Sequence, residues 1–149
     1  MTRLPRRATA EDSDEVARVL IESRRAAGAA IPPSVHSDEE TMAWVRDRLI
    51  VEAEVWIVSD PTPCAVLVLT DRWIEQLYVA AERTGQGLGS LLVELAKQLR
   101  PAGLEQWTFA SNAGAQRFYE RHGFVVAEHT DGSGNEERAP DIRYVWGPQ

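Results

Sequence analysis

The chain has 149 residues, 44% hydrophobic and 26% charged, which suits one globular domain spanning 1–149 with a sizeable core. Its formal net charge of −7, with lysines and arginines scattered along the chain, argues against a nucleic-acid partner, and its single cysteine, Cys64, excludes a disulfide framework. No apolar run approaches the roughly 18 residues of a membrane span and the start lacks the apolar block of a secretory signal, so no membrane partner and a cytoplasmic location are expected.

In chain order, the pattern predicts a short strand near Arg3 to Ala8, then a helix from about Glu11 to Ala27 with an acidic first turn. Gly28 to Ser37, carrying Pro32 and Pro33, is a loop, and a second helix runs from about Asp38 to Ile50. Three strands follow as an antiparallel meander: Val55 to Ser59, Cys64 to Thr70 and Trp73 to Val79. Cys64 opens the apolar run CAVLVL and reads as a core residue. A helix then buries Leu88, Leu91, Leu92, Leu95 and Leu99 and stops at Pro101. Gln106 to Phe109 is a strand that a right-handed crossover places parallel to Trp73 to Val79. A helix over Ser111 to Phe124, a strand Val125 to Glu128, a polar loop Asp131 to Asp141 and a last strand Ile142 to Trp146 complete the chain. A last strand rich in aromatics raises the expectation of pairing across a homodimer.

Leu77 to Leu99 carries the clearest chemical signal, an apolar strand that runs through alternating glycines into an amphipathic helix. Gly85, Gly87 and Gly89 let the backbone reach positive φ and press its N–H groups on a ligand, while the helix start adds unpaired N–H groups and the positive dipole end. A phosphate or pyrophosphate is the expected ligand. The dinucleotide fingerprint G-x-G-x-x-G fails, because Ser90 or Leu92 stands where its third glycine belongs, and no lysine follows Gly89 as a mononucleotide loop requires. In Ser111 to Phe124, Ser111 or Asn112 caps the helix and Gly123 closes it. Asn112, Ala115 and Tyr119 share one helix face, on which a slender amide-bearing ligand can lie.

These two segments resemble motifs A and B of the GNAT superfamily of acyl-CoA dependent N-acetyltransferases. Thr84-Gly85-Gln86-Gly87-Leu88-Gly89 is similar to motif A, with Thr84 where the family carries Gln or Arg and Arg83 as a neighbouring cation. Asn112, Ala115, Phe118, Tyr119, Glu120, Gly123 and Phe124 match motif B, so the resemblance covers roughly the second half of the chain. It implies an α/β (α+β) fold with a mixed central sheet of about six or seven strands, about four helices, and a splayed parallel strand pair that holds the cofactor. It implies acetyl-CoA as co-substrate and an amine acceptor. Thr84, Gly85, Gln86, Gly87, Gly89 and Ser90 would hold the pyrophosphate, and Leu77 and Val79 would pair with the pantetheine arm as an added strand does, with Asn112 on the opposite wall.

An alkylammonium has no lone pair, and with a pKa near 10.4 reaching the free amine at pH 7 costs about 4.6 kcal/mol. Glu75, two residues before Leu77, is the candidate base beside a water chain. Tyr119 is the candidate acid for the leaving thiolate, and the N–H of Val79 the candidate oxyanion donor. The polar loop Asp131 to Asp141 reads first as a solvated hairpin connection, with Glu136 and Glu137 facing a cationic acceptor as the alternative. His36, His122 and His129 share no metal-ligand spacing, so no metal is expected. The acceptor pocket is open to any of the five tryptophans. A non-catalytic acyl-CoA sensor and an interaction module are the rival readings.

Overall fold

The computed structural model describes residues 4–148; the predicted first strand therefore begins, at Arg3, outside the described residues. One mixed sheet of seven strands organises the chain, in the order β1-β2-β3-β4-β5-β7-β6. Its strands are β1 (Arg6–Arg7), β2 (Glu54–Ser59), β3 (Pro63–Thr70), β4 (Trp73–Val79), β5 (Leu104–Phe109), β6 (Val125–Thr130) and β7 (Asp141–Trp146). Helix α1 (Ser13–Ala26) and helix α2 (Asp38–Trp44), which continues through a π-helical stretch Val45–Leu49 into the short α3 (Ile50–Glu52), precede β2. Helix α4 (Leu88–Leu99) joins β4 to β5, and α5 (Ala113–Arg121) joins β5 to β6.

Two apolar clusters lie on opposite sides of the sheet. Val16, Val19 and Leu20 of α1 and Val45 and Leu49 pack against Val55, Ile57, Val66 and Val68. Leu88, Leu92, Val93 and Ala96 of α4 pack with Leu67, Leu69, Ile74, Leu104, Phe124 and Tyr144. Strand β3 serves both clusters, which explains why CAVLVL is a continuous apolar run buried on both faces, with Cys64 in the core. In α4 the fully buried stripe is Leu88, Leu92 and Ala96 with Val93, whereas Leu91, Leu95 and Leu99 are only partly buried at its flanks. The buried stripe is thus rotated about the helix axis from where the leucines alone place it, toward Val93 and Ala96. The second helix runs past the expected Ile50 to Glu52, and its π-helical stretch buries Val45 and Leu49.

Strand β4 pairs antiparallel with β3 and parallel with β5. The β4–β5 ladder holds only Trp73 with Glu105 and Ile74 with Gln106. Beyond that point the strands part, earlier along β4 than its middle, while β5 goes on pairing with β7 through Phe109 and Asp141. A register shift against Val68 and Leu69 leaves Glu75 between paired Ile74 and Gln76, a bulge that re-aims β4 as it leaves β5. Strand β7 lies between β5 and β6, so it has no free edge for ladder pairing across a dimer, and β6 forms the sheet edge at that end.

Candidate active site at the strand divergence

Two of the three glycines of the turn are left-handed, whereas Gly89, expected to join them, is helical. Gly85 and Gly87 sit at φ +79° and +80°, and a Cβ on either would meet nothing within 4 Å, so open space lies over both. Gly87 is the N-cap of α4, whose first turn carries no acid. The main-chain N–H groups of 88–90 precede the first intrahelical bond, Leu91 N to Gly87 O at 3.0 Å, and so have no intrahelical partner, at the positive end of the helix dipole. Gly89 has another reason to be glycine. It lies inside α4, and a Cβ there would stand 3.2 Å from the Phe118 ring and 3.9 Å from Val79, so it permits β4, α4 and α5 to converge.

The side chains around this turn are engaged locally. Thr84 Oγ1 donates to Ala81 O at 3.1 Å, closing the turn before the glycines. Ser90 Oγ and His122 Nε2 are 3.0 Å apart, tying α4 to the end of α5. Arg83, the neighbouring cation, is turned away onto Asp60, with Nη1 2.9 Å from Oδ2 and a second bond to the Asp60 carbonyl, so it does not serve the glycine turn. Exposed Gln86 stands between Gly85 and Gly87. What this turn offers an anion is its main-chain amides.

From the divergence point a cleft of about 620 Å³ opens, and it gathers Glu75, Leu77, Asn112 and Tyr119 in one wall set. Thr84 to Ser90 do not line it; they lie past the end of β4, where an extended ligand leaving the cleft would emerge. Ala80 N donates to Cys64 O at 2.8 Å on the β3 side. By strand alternation the N–H and C=O of Val79 and Leu77 then face the opposite side, the gap that β5 has left. The Val79 carbonyl accepts from Ser23 Oγ of α1 at 3.1 Å. Its N–H has no ladder partner in β5, as the two paired positions are Trp73 and Ile74.

Asn112 caps α5: its Oδ1 accepts from Ala115 N at 3.1 Å, which leaves the NH2 end as the donor available to a ligand. One helix turn pair further, Tyr119 is 5% exposed, with edge-on contacts to Phe118 and Phe124 at 5.2 Å and a stacked contact to Tyr144 at 6.3 Å. Burial, with Tyr78 nearby as a lesser cause, pushes its phenol well above the ordinary value. Tyr119 therefore holds its proton through the physiological range. Glu75 is exposed and accepts from Thr70 Oγ1 at 2.5 Å.

The sequence profile of the acetyltransferase (GNAT) domain matches residues 39–126, more than half of the chain. The chain belongs to the GNAT acetyltransferase family. A peptidyl-lysine N-acetyltransferase, YjaB of Salmonella typhimurium, is 34% identical over 82 residues, which is 54% of this chain and 56% of that protein. The chain thus matches little more than half the length of this curated relative. The solution structure of apo YjaB from Escherichia coli superposes with a TM-score of 0.79 at 23% identity, covering 99% of this chain and 100% of that one. The PaiA N-acetyltransferase of Thermoplasma acidophilum, solved with coenzyme A, gives 0.71 at 22% identity over 99% and 100%. YncA of Salmonella typhimurium, solved with acetyl-CoA, gives 0.68 at 20% over 97% and 92%. At these identities the neighbours show the GNAT fold.

A second cavity of about 760 Å³ adjoins the cleft and shares Arg24, Ile31, Gln76, Tyr78 and Glu137 with it. Glu137 and Glu136 line it, but neither carboxylate is spare: Glu137 is 2.7 Å from Arg24 Nη2 and Glu136 is 3.0 Å from His36 Nε2. These contacts bridge the β6–β7 loop to α1 and to the loop before α2. Arg24, Ser23 and Tyr78 are site residues that the sequence did not disclose. Their partners lie 113 residues away for Arg24 and 56 for Ser23, and no local pattern encodes such contacts. Among the described residues no helix is long and apolar enough to cross a membrane, and no three metal-ligating side chains cluster.

Two predictions follow from this geometry. Gly87→Ala should cost about 1 kcal/mol, from the left-handed backbone alone, and Gly87→Asn distinctly less, measured by urea unfolding of the ligand-free protein. All three tyrosines are raised, Tyr144 to about 12 by burial and then by its bond to Glu120, Tyr78 by burial foremost. The unfolded chain ionises its phenols first, near pH 10, so their contribution to stability is whole below pH 10 and falls as pH rises above it. Ultraviolet titration should show no phenolate with an ordinary pKa in the folded protein, and denaturation midpoints should drop only above pH 10.

Proposed function

We propose that the chain, acting as a single GNAT domain, transfers the acetyl group of acetyl-CoA to a primary amine by direct attack on the thioester, with the cytoplasm as its expected compartment. The observation that carries this is the gap between β4 and β5, with unladdered main-chain groups on one side, Asn112 and Tyr119 on the other, and an anion-facing turn at its end. An extended ligand with amides along an arm and a diphosphate at its tail fits all three. The relative named a peptidyl-lysine N-acetyltransferase supports a lysine-type amine as the acceptor.

Each residue has one task in this scheme. Leu77 and Val79 pair with the arm in place of β5, and the Asn112 NH2 donates to it from the facing helix. The amides from Thr84 through Gly85, Gln86, Gly87 and Gly89 to Ser90 hold the diphosphate. The Val79 carbonyl is already taken by Ser23 Oγ, so Val79 contributes its N–H to the pairing with the arm. Three carboxylates line the cleft. Glu137 is held by Arg24 and Asp141 by Thr130 and by Asn135 at 3.1 Å, whereas Glu75, among the described residues, is held only by the Thr70 hydroxyl. Glu75 is thus the carboxylate best placed to take the ammonium proton, directly or through water.

Tyr119 faces the leaving sulfur. An ordinary thiol has a pKa of about 8.5, below even an unperturbed phenol near 10, so full proton transfer from the raised Tyr119 is uphill. A neutral phenol that keeps its proton instead stabilises the thiolate as a hydrogen-bond donor while the C–S bond breaks. Tyr119→Phe should lower turnover by about 100-fold and leave the acetyl-CoA dissociation constant within a few-fold. Thiol release from acetyl-CoA over a panel of amines measures this. Unchanged turnover would remove Tyr119 from the reaction, and persistent silence of a wild-type protein that binds acetyl-CoA would favour an acyl-CoA sensor.

A further inference from the structure

The last paired residues before the strands part are Ile74 on β4 and Gln106 on β5. The next residue on each strand is the first without a ladder partner across the gap, Glu75 at the β4 bulge and Trp107 on β5, and both line the cleft beside Ile74 and Gln106. Trp107 is 41% exposed, a large area for an indole that no cluster requires. Its ring is held all the same, because Trp73 stacks on it with 5° between planes and 6.4 Å between centroids. The neighbouring cation on β7, Arg143, which pairs in register with Trp107, is held by Glu105 at 2.6 Å and Glu128 at 2.9 Å, so it neutralises carboxylates around the indole. Glu75 supplies a carboxylate in the same cleft.

The geometry points to Trp107, backed by Trp73, as the group that binds the alkylammonium chain of the acceptor, of the lysine side-chain type, in the amine-transfer reaction proposed above. An unbranched methylene chain lies on the indole face, and the ammonium at its end is drawn both to the negative face of the ring and to the Glu75 carboxylate in the same cleft. The stack with Trp73 keeps the shelf rigid, so ordering it on binding costs little side-chain entropy. Of the five tryptophans, this placement singles out the one that begins the open half of β5. The charge of the acceptor thus selects for a cation carried on an apolar stem.

Binding of Nα-acetyl-lysine amide and of its neutral analogue Nα-acetyl-norleucine amide to the protein saturated with coenzyme A tests this without any turnover. The lysine probe should shift the Trp107 indole N–H resonance of the wild-type protein and bind more tightly than the norleucine probe. Trp107→Leu, which keeps apolar bulk but removes the π face, should weaken the lysine probe about fivefold or more, and Trp107→Phe should stay within about twofold of wild type. Coenzyme A affinity should be the same in all three proteins. Equal binding of the two probes, or a lysine-probe affinity unmoved by Trp107→Leu, would overturn the assignment. Loss of acetyl transfer with these binding differences intact would instead count against the reaction and not against the shelf.

Discussion

The parting of β4 from β5 after two paired residues is the constraint on which the rest of this molecule depends. A buried main-chain N–H or C=O left without a partner costs about 1–3 kcal/mol, so a parallel ladder is not abandoned without substitutes. Here β3 keeps one edge of β4 in register, the Glu75 bulge turns the strand, and Ser23 of α1 takes the Val79 carbonyl. Arg24, the next residue of α1, bridges to the β6–β7 loop through Glu137. Helix α1 thus braces the free half of β4 that β5 has released. What is left unladdered on that edge is a template for an arm bearing amides.

Charge sets the second constraint. A chain of net charge −7 must attract a polyanionic cofactor by local donors, and the structure shows that Arg83 is not one of them. A helix start contributes about 0.3–2 kcal/mol, while micromolar binding needs about 8 kcal/mol. On the proposed reading the larger share comes from the arm, by strand pairing in the gap, by a hydrogen bond from Asn112 and by apolar contact along Ala115 and Tyr119. Cofactor recognition and the splayed sheet are then one feature, not two. The same acidity suits an acceptor that arrives as a cation.

The sequence made much of this legible, and its failures have physical causes. The glycine turn and the helix cap at Asn112 are local devices, encoded within a few residues, and both stand as expected, with Gly87 left-handed and Asn112 bonded to Ala115. Spacing groups Gly89 with its neighbours because it cannot tell a left-handed glycine from one that yields room to an aromatic ring; Phe118, 29 positions on, makes the difference. The bulge at Glu75 has no signature in WIEQLYV, since register is fixed by β3 across the ladder. The placement of β7 inside the sheet depends on the β6–β7 hairpin closing back on β5, which removed the last strand as an edge. Arg24, Ser23 and Trp107 needed the tertiary structure, because each acquires meaning only from what another element brings to it.

Hydrogen exchange at single amides of β4, with and without coenzyme A, tests the central claim most directly. Tyr78 and Ala80 face β3 and should be protected in both states, whereas Leu77 and Val79 should exchange fast in the free protein and slow by at least about tenfold when coenzyme A saturates the site, as an added strand demands. Leu77 and Val79 amides that exchange equally fast with the cofactor bound, or that are already protected without it, would contradict the account.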